Sequence, residues 1–151
     1  MRTLALGVAL VVAAVLHAPT ARADMYIGNY DVQWQRPWDF HTYVLEFTRC
    51  FEPSGRDSIP GCLKVSMNPR PIAKATQWRA EARMVNGQYT LSVDNPFGYW
   101  CGGYYGPVVP TRDVYTWDEK TLTGTMASSF AVGPCGEPGG TLFYPFRLVR
   151  L

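Results

Sequence analysis

The sequence predicts an all-β domain of about eight antiparallel strands, and three observations carry that prediction. Runs rich in Tyr, Trp, Phe, Val and Thr follow one another along residues 24–151, and Gly, Pro, Asn or Asp break them about every dozen residues. Helical periodicity is nearly absent. The dipeptide Asn86-Gly87 sits between two alternating rows, with Trp78, Ala80, Ala82 and Met84 before it and Tyr89, Leu91 and Val93 after it. Both residues tolerate the positive φ of a two-residue type I′ turn, whose twist matches the strands it joins.

The chain opens with Met1-Arg2-Thr3, an apolar run from Leu4 to Leu16, and Ala21-Arg22-Ala23. A charged tip, a short greasy stretch and a small-x-small site in that order read as a secretory signal cleaved after Ala23. A bilayer-spanning helix needs about 20 apolar residues, and this run is shorter and gives way to His17, Pro19 and Arg22. Cleavage removes residues 1–23 and leaves one domain, residues 24–151, of ordinary size for a single core. The segment lost holds two of the 14 basic side chains and none of the 12 acids, so the two signs balance in what remains. Balance without a basic block argues against nucleic acid or an anionic membrane as the main partner.

The strands expected in order are Tyr26–Gln35, Phe40–Phe51, Cys62–Met67, Gln77–Val85, Gln88–Val93, Thr111–Trp117, Leu122–Val132 and Thr141–Arg150. In the fourth, Arg79, Glu81 and Arg83 alternate outward. The same residues admit a helix from Pro71 to Val85, with proline in its first turn and Asn86-Gly87 as its stop, but period two fits better and gives the next strand a partner. Asp118-Glu119-Lys120-Thr121 suits a four-residue turn between Trp117 and Leu122. Leu142, Tyr144, Phe146 and Leu148 alternate into a last half-buried strand. Sequential hairpins favour a meander that closes into a small β-barrel, with a β-sandwich as the alternative.

All four cysteines, Cys50, Cys62, Cys101 and Cys135, lie in the exported part, and an even number in an oxidising compartment reads as two disulfides. Three pairings are open. The preferred one joins Cys50 to Cys62 across a turn-rich loop and Cys101 to Cys135 across two glycine-rich turns. Zinc would need ligands spaced about two to four positions apart, and these cysteines are not so spaced. Neither a metal nor a cofactor is implied.

His41 is the sole histidine after export, in Phe40-His41-Thr42, without a nucleophile signature near it; a surface or strand-end role is expected. Glu46, between Leu45 and Phe47, is expected to face solvent, and Asp118 and Glu119 to stay wet in their turn. No catalytic residue is expected. The most unusual composition is Phe97 to Gly106, where aromatics and glycines crowd around Cys101. Such faces stack on a sugar or an extended peptide, so Tyr99, Trp100, Tyr104 and Tyr105 are the expected ligand-binding residues, against the plainer expectation that the rings pack on the disulfide and cap the barrel.

Ala21-Arg22-Ala23-Asp24, Gly28-Asn29-Tyr30, Tyr115-Thr116-Trp117-Asp118, Thr121 to Thr125 and Pro145-Phe146-Arg147-Leu148 together resemble small secreted proteins of mycobacteria. That resemblance spans most of the exported chain, implies an actinobacterial envelope or culture-fluid location, and brings no catalytic residues. The Gly-x-Tyr opening and the strand count are also similar to lipocalin-like and streptavidin-like barrels, a likeness of fold alone. The expected role is a non-enzymatic extracellular module that takes a glycan, lipid or peptide of the envelope at a barrel mouth. A structural or host-facing protein without a cavity is the alternative, and a hydrolase the last choice. The interior decides, since an eight-strand barrel either fills with side chains or holds one ligand.

Overall fold

The structure is a computed structural model that describes residues 25–37, 39–131, 135–136 and 138–151. The expected signal segment lies outside the described residues. Eight strands form a closed antiparallel barrel in chain order: β1 Gly28–Trp34, β2 Thr42–Phe51, β3 Ser58–Arg70, β4 Trp78–Val85, β5 Gln88–Trp100, β6 Val108–Asp118, β7 Thr123–Phe130 and β8 Gly140–Arg150. β8 pairs back onto β1 from Tyr30 opposite Arg150 to Trp34 opposite Phe146. No described helix is long and apolar enough to cross a membrane.

Alternation builds this barrel. In β2, Tyr43, Leu45 and Phe47 are buried while Glu46 and Thr48 are exposed; in β6, Val109, Thr111, Asp113, Tyr115 and Trp117 are the buried set. The stretch that also admitted a helix is strand β4, with Trp78 and Ala82 inside and Arg79, Glu81 and Arg83 outside. Asn86 and Gly87, at φ 53° and 81°, make the tight turn into β5. Both disulfides join the expected partners, Cys50 to Cys62 and Cys101 to Cys135.

One expectation needs revising. The aromatic and glycine-rich segment starts inside a strand, because β5 runs on to Trp100 through a register shift between Asn95 and Tyr99. That irregularity re-aims the chain at the barrel rim, as bulges do. Gly98 sits within it, and a Cβ there would run into the Thr111 side chain.

Below its mid-height the barrel is solid. Tyr89 stacks on Trp117 at 5.5 Å, Phe47 lies 5.7 Å from the same indole, and Tyr30 meets Phe47 edge-on at 5.2 Å. Met25 is buried beneath them, and its sulfur accepts the Trp117 Nε1–H at 3.4 Å. The Cys50–Cys62 bond staples β2 to β3 at this end. Higher up, Trp34 packs edge-on against Tyr43 at 5.1 Å and Phe146 at 6.3 Å, and Trp78 lies 5.5 Å from Tyr115. Aromatic rings of this size bury large areas and give the core its main drive.

The opposite end gathers the connections β1–β2, β3–β4, β5–β6 and β7–β8. There the wall is also looser: β1 pairs with β2 only from Gly28 to Asp31, so Val32 to Trp34 bond to β8 alone. This end holds the chemistry.

Candidate functional site at the barrel mouth

The mouth is organised by charged side chains that have left water. Arg36, in the β1–β2 connection, and Asp39, three residues on, have side chains only 6% and 5% exposed, and Arg36 Nη1 lies 3.2 Å from Asp39 Oδ2. Arg36 Nη2 donates to the Gly98 carbonyl on β5. The guanidinium lies between two rings, with its carbon 5.2 Å from the Trp34 centroid and 5.4 Å from that of Tyr144. Burial works against this cation, but Asp39, with smaller contributions from Tyr43, Tyr115 and Asp113, outweighs it and raises the Arg36 pKa.

Asp39 is the hub. Its Oδ1 accepts from the His41 backbone N–H at 3.0 Å and faces His41 Nδ1 at 2.7 Å, while Oδ2 accepts from the Tyr43 hydroxyl at 2.9 Å. His41 Nε2 lies 2.6 Å from the Ala73 carbonyl in the β3–β4 connection. Both ring nitrogens lie within hydrogen-bond distance of oxygen, so the Asp39–His41 pair ties the β1–β2 connection to the β3–β4 connection.

A second carboxylate lies deeper. Asp113 on β6 is fully buried, and it accepts from Thr111 Oγ1 and Ser128 Oγ, both at 2.6 Å, and from Asn95 Nδ2 at 3.0 Å. Three donors offset its desolvation. Its charge is felt by the phenols nearby. Burial pushes the Tyr115 hydroxyl well up and Asp113 adds to it; burial raises Tyr43 too, with Asp39 pushing the same way; burial raises Tyr144, and Arg36 pulls it part of the way back.

The sign of the resulting pH dependence is fixed. Phenols of the unfolded chain ionise near about pH 10, whereas the folded ones hold their protons longer, so their stabilisation is whole below that pH and drains away as pH rises beyond it. Ultraviolet titration is expected to show Tyr43 and Tyr115 ionising only when the barrel unfolds. A smooth titration of all nine tyrosines near the ordinary value, with the circular dichroism unchanged, contradicts this assignment.

Against this frame lies a cavity of about 430 Å³, lined by Arg36, Pro37, Asp39, Gly98, Tyr99, Trp100, Gly102 and the β8 residues Leu142, Phe143 and Tyr144. Beside it, an outer groove of about 370 Å³ runs between Phe40, Ala73, Lys74, Tyr104 and Tyr105. Of the residues singled out from sequence, Tyr99 and Trp100 line the cavity, and Tyr104 and Tyr105 line the groove. Tyr99 stacks on Phe130 at 4.7 Å with planes 5° apart. Trp100 is only 6% exposed; its Nε1 donates to the Phe97 carbonyl at 3.0 Å, and the Phe40 ring stands edge-on 5.8 Å away. Lys74 Nζ lies 5.3 Å over the Trp100 ring and donates to the Tyr104 carbonyl at 2.8 Å. Tyr104 stands against Phe40 at 5.7 Å, and Tyr105 is 97% exposed.

His41 is indeed at a strand end, directly before β2, yet it is buried rather than at the surface. Glu46 lies on the outer face. Asp118 Oδ1 clasps its own turn by accepting the backbone N–H groups of Lys120 at 2.9 Å and Thr121 at 2.8 Å, and these bonds lower its pKa. Glu119 is half-buried beside it, with Oε2 unbonded. The acids that enter the lumen end are instead Asp39 and Asp113, which sequence alone did not single out. Asp113 had a signal: it shares its strand phase with Tyr115 and Trp117.

Cys50, Cys62 and Glu81 come within metal-ligand reach of one another, but the two sulfurs are bonded together and offer no thiolate. Set against protein-family models, curated proteins and solved structures, the chain matches none.

Proposed function

We propose that this chain is an extracytoplasmic, non-enzymatic binding barrel that holds a small molecule in its mouth. One observation carries the reading: the barrel is packed with rings below mid-height, yet at the rim a cavity of about 430 Å³ is left between Arg36, Tyr99, Trp100, Leu142 and Tyr144. That size falls in the usual range for small-molecule sites, roughly 300–1,000 Å³, as does the mixture of rings with a few fixed polar groups. Two disulfides fit an oxidising compartment, which agrees with the leader expected at residues 1–23. The walls need no rearrangement to receive a guest, because Asp39, His41 and Asp113 already hold the rim in place.

Leu142, half-buried on the wall, is the position at which to fill the space. A thermal-shift screen of the oxidised protein against envelope sugars, lipids and aromatic acids is expected to return stabilising compounds, and Leu142→Trp to abolish each shift while leaving the unliganded melting temperature within a few degrees. A compound at about 100 times its Kd adds about 2.7 kcal/mol, which such a screen resolves. Shifts that persist unchanged in the filled variant count against the mouth. The exposed Ile72 and Tyr105 favour a second reading, contact with another protein, which Tyr105→Ser would weaken without touching small-molecule binding.

A further inference from the structure

The polar groups at the mouth are unequal in what they have left to offer. A carboxylate has about four lone-pair positions, and Asp39 has four donors on it: Arg36, the His41 backbone N–H, the His41 ring and Tyr43. It has no room for a fifth. A guanidinium carries five N–H donors, and those of Arg36 engage Asp39 and the Gly98 carbonyl, which leaves donors over. The Trp100 indole N–H is committed to Phe97. The cavity thus keeps donating capacity on a cation and little accepting capacity on an acid. Its remaining walls include two phenol rings, Tyr99, already seated parallel to Phe130, and Tyr144, with Leu142 beside them.

We infer that the mouth takes a flat, largely apolar molecule whose polar end is a hydrogen-bond acceptor, a carboxylate above all, directed at Arg36. This rests on the mouth being a binding site and names the chemistry of its guest. A guanidinium fork suits a carboxylate in both charge and shape, and charge-assisted bonds of this kind are about twice as strong as neutral ones. Stacking between rings supplies the rest. An ammonium guest would meet the Arg36 charge with Asp39 already held by its own donors, and a polyol would leave the apolar walls unmatched.

The test compares probes of one shape by calorimetry and thermal shift on the oxidised protein: 2-naphthoate, 2-naphthylmethanol and 2-naphthylmethylammonium, with dodecanoate and maltotetraose alongside. Naphthoate is expected to bind at least about tenfold tighter than the ammonium, with the alcohol between them and maltotetraose silent. Arg36→Lys, which keeps the charge and loses the fork, is expected to weaken naphthoate at least about tenfold and to leave the alcohol nearly unchanged. Equal or tighter binding of the ammonium overturns the acceptor, tighter binding of dodecanoate overturns the flat body, and unchanged naphthoate binding in Arg36→Lys overturns the role of Arg36. In each of those cases probes that Leu142→Trp displaces leave the mouth standing as a site. If naphthoate binds the filled variant as well as the parent, the mouth itself falls, and if no naphthyl probe binds the parent, the inference falls.

Discussion

Replacing Arg36 by methionine is expected to lower the free energy of unfolding by about 3–5 kcal/mol, read from urea denaturation of the oxidised protein. The apolar stem is kept, so little packing is lost. What remains is the Asp39 carboxylate, 5% exposed, without its cation and with only His41 and Tyr43 to hold it. A buried charge stripped of its partner costs far more than the intact pair contributed. The double replacement Arg36→Met with Asp39→Asn is expected to recover part of that loss, because it removes the stranded charge as well. The remaining deficit then reports the bonds to Gly98 and Tyr43. A single-variant loss below about 1 kcal/mol, the range of an exposed pair, shows that water reaches the pair and contradicts the burial described.

Loss of the Cys101–Cys135 bond stands next in size. In the chain-entropy account the link closes a loop of 34 residues and contributes about 4 kcal/mol, against about 3 for the 12-residue loop of Cys50–Cys62. Both sums are large beside the usual 5–15 kcal/mol stability of a domain, so the doubly reduced chain is expected to be close to unfolding at about 37 °C. Cys101→Ser with Cys135→Ser opens the longer of the two loops and also frees the segment beside Trp100 and Gly102, so naphthoate affinity should fall together with the melting temperature. The Cys50 and Cys62 double variant, at the other end of the barrel, should lower the melting temperature alone. Equal effects of the two pairs on naphthoate would show that the upper bond does not shape the mouth.

Strand alternation makes the barrel legible in the sequence, since period two records which face is wet. Arg79, Glu81 and Arg83 against Trp78 and Ala82 settle β4 in that way. Asn86-Gly87 marked its turn because few other pairs accept two positive φ values. The mouth was only half legible. Tyr99 and Trp100 stood out by composition, but the shift after Asn95 that turns them onto the rim has no period to betray it. Arg36 and Asp39 sit in a connection, where no alternation assigns a side, and Arg36 meets Gly98 from 62 positions away in the chain. Such a contact exists only once the strands have closed. His41 looked like a surface residue for the same reason, as its partner Ala73 lies 32 positions away on another connection. Asp113 could have been found, because β6 puts it in step with Tyr115 and Trp117, and a carboxylate there must bring its own donors.

The residue that leads into β1 has a kinetic consequence. With Met25 seated under Trp117 and its sulfur engaged, the vessel is corked at the bottom by its own chain. Under the binding proposed above, a guest would come and go at the rim, and its residence time would follow how often the rim around Tyr99 and Leu142 yields.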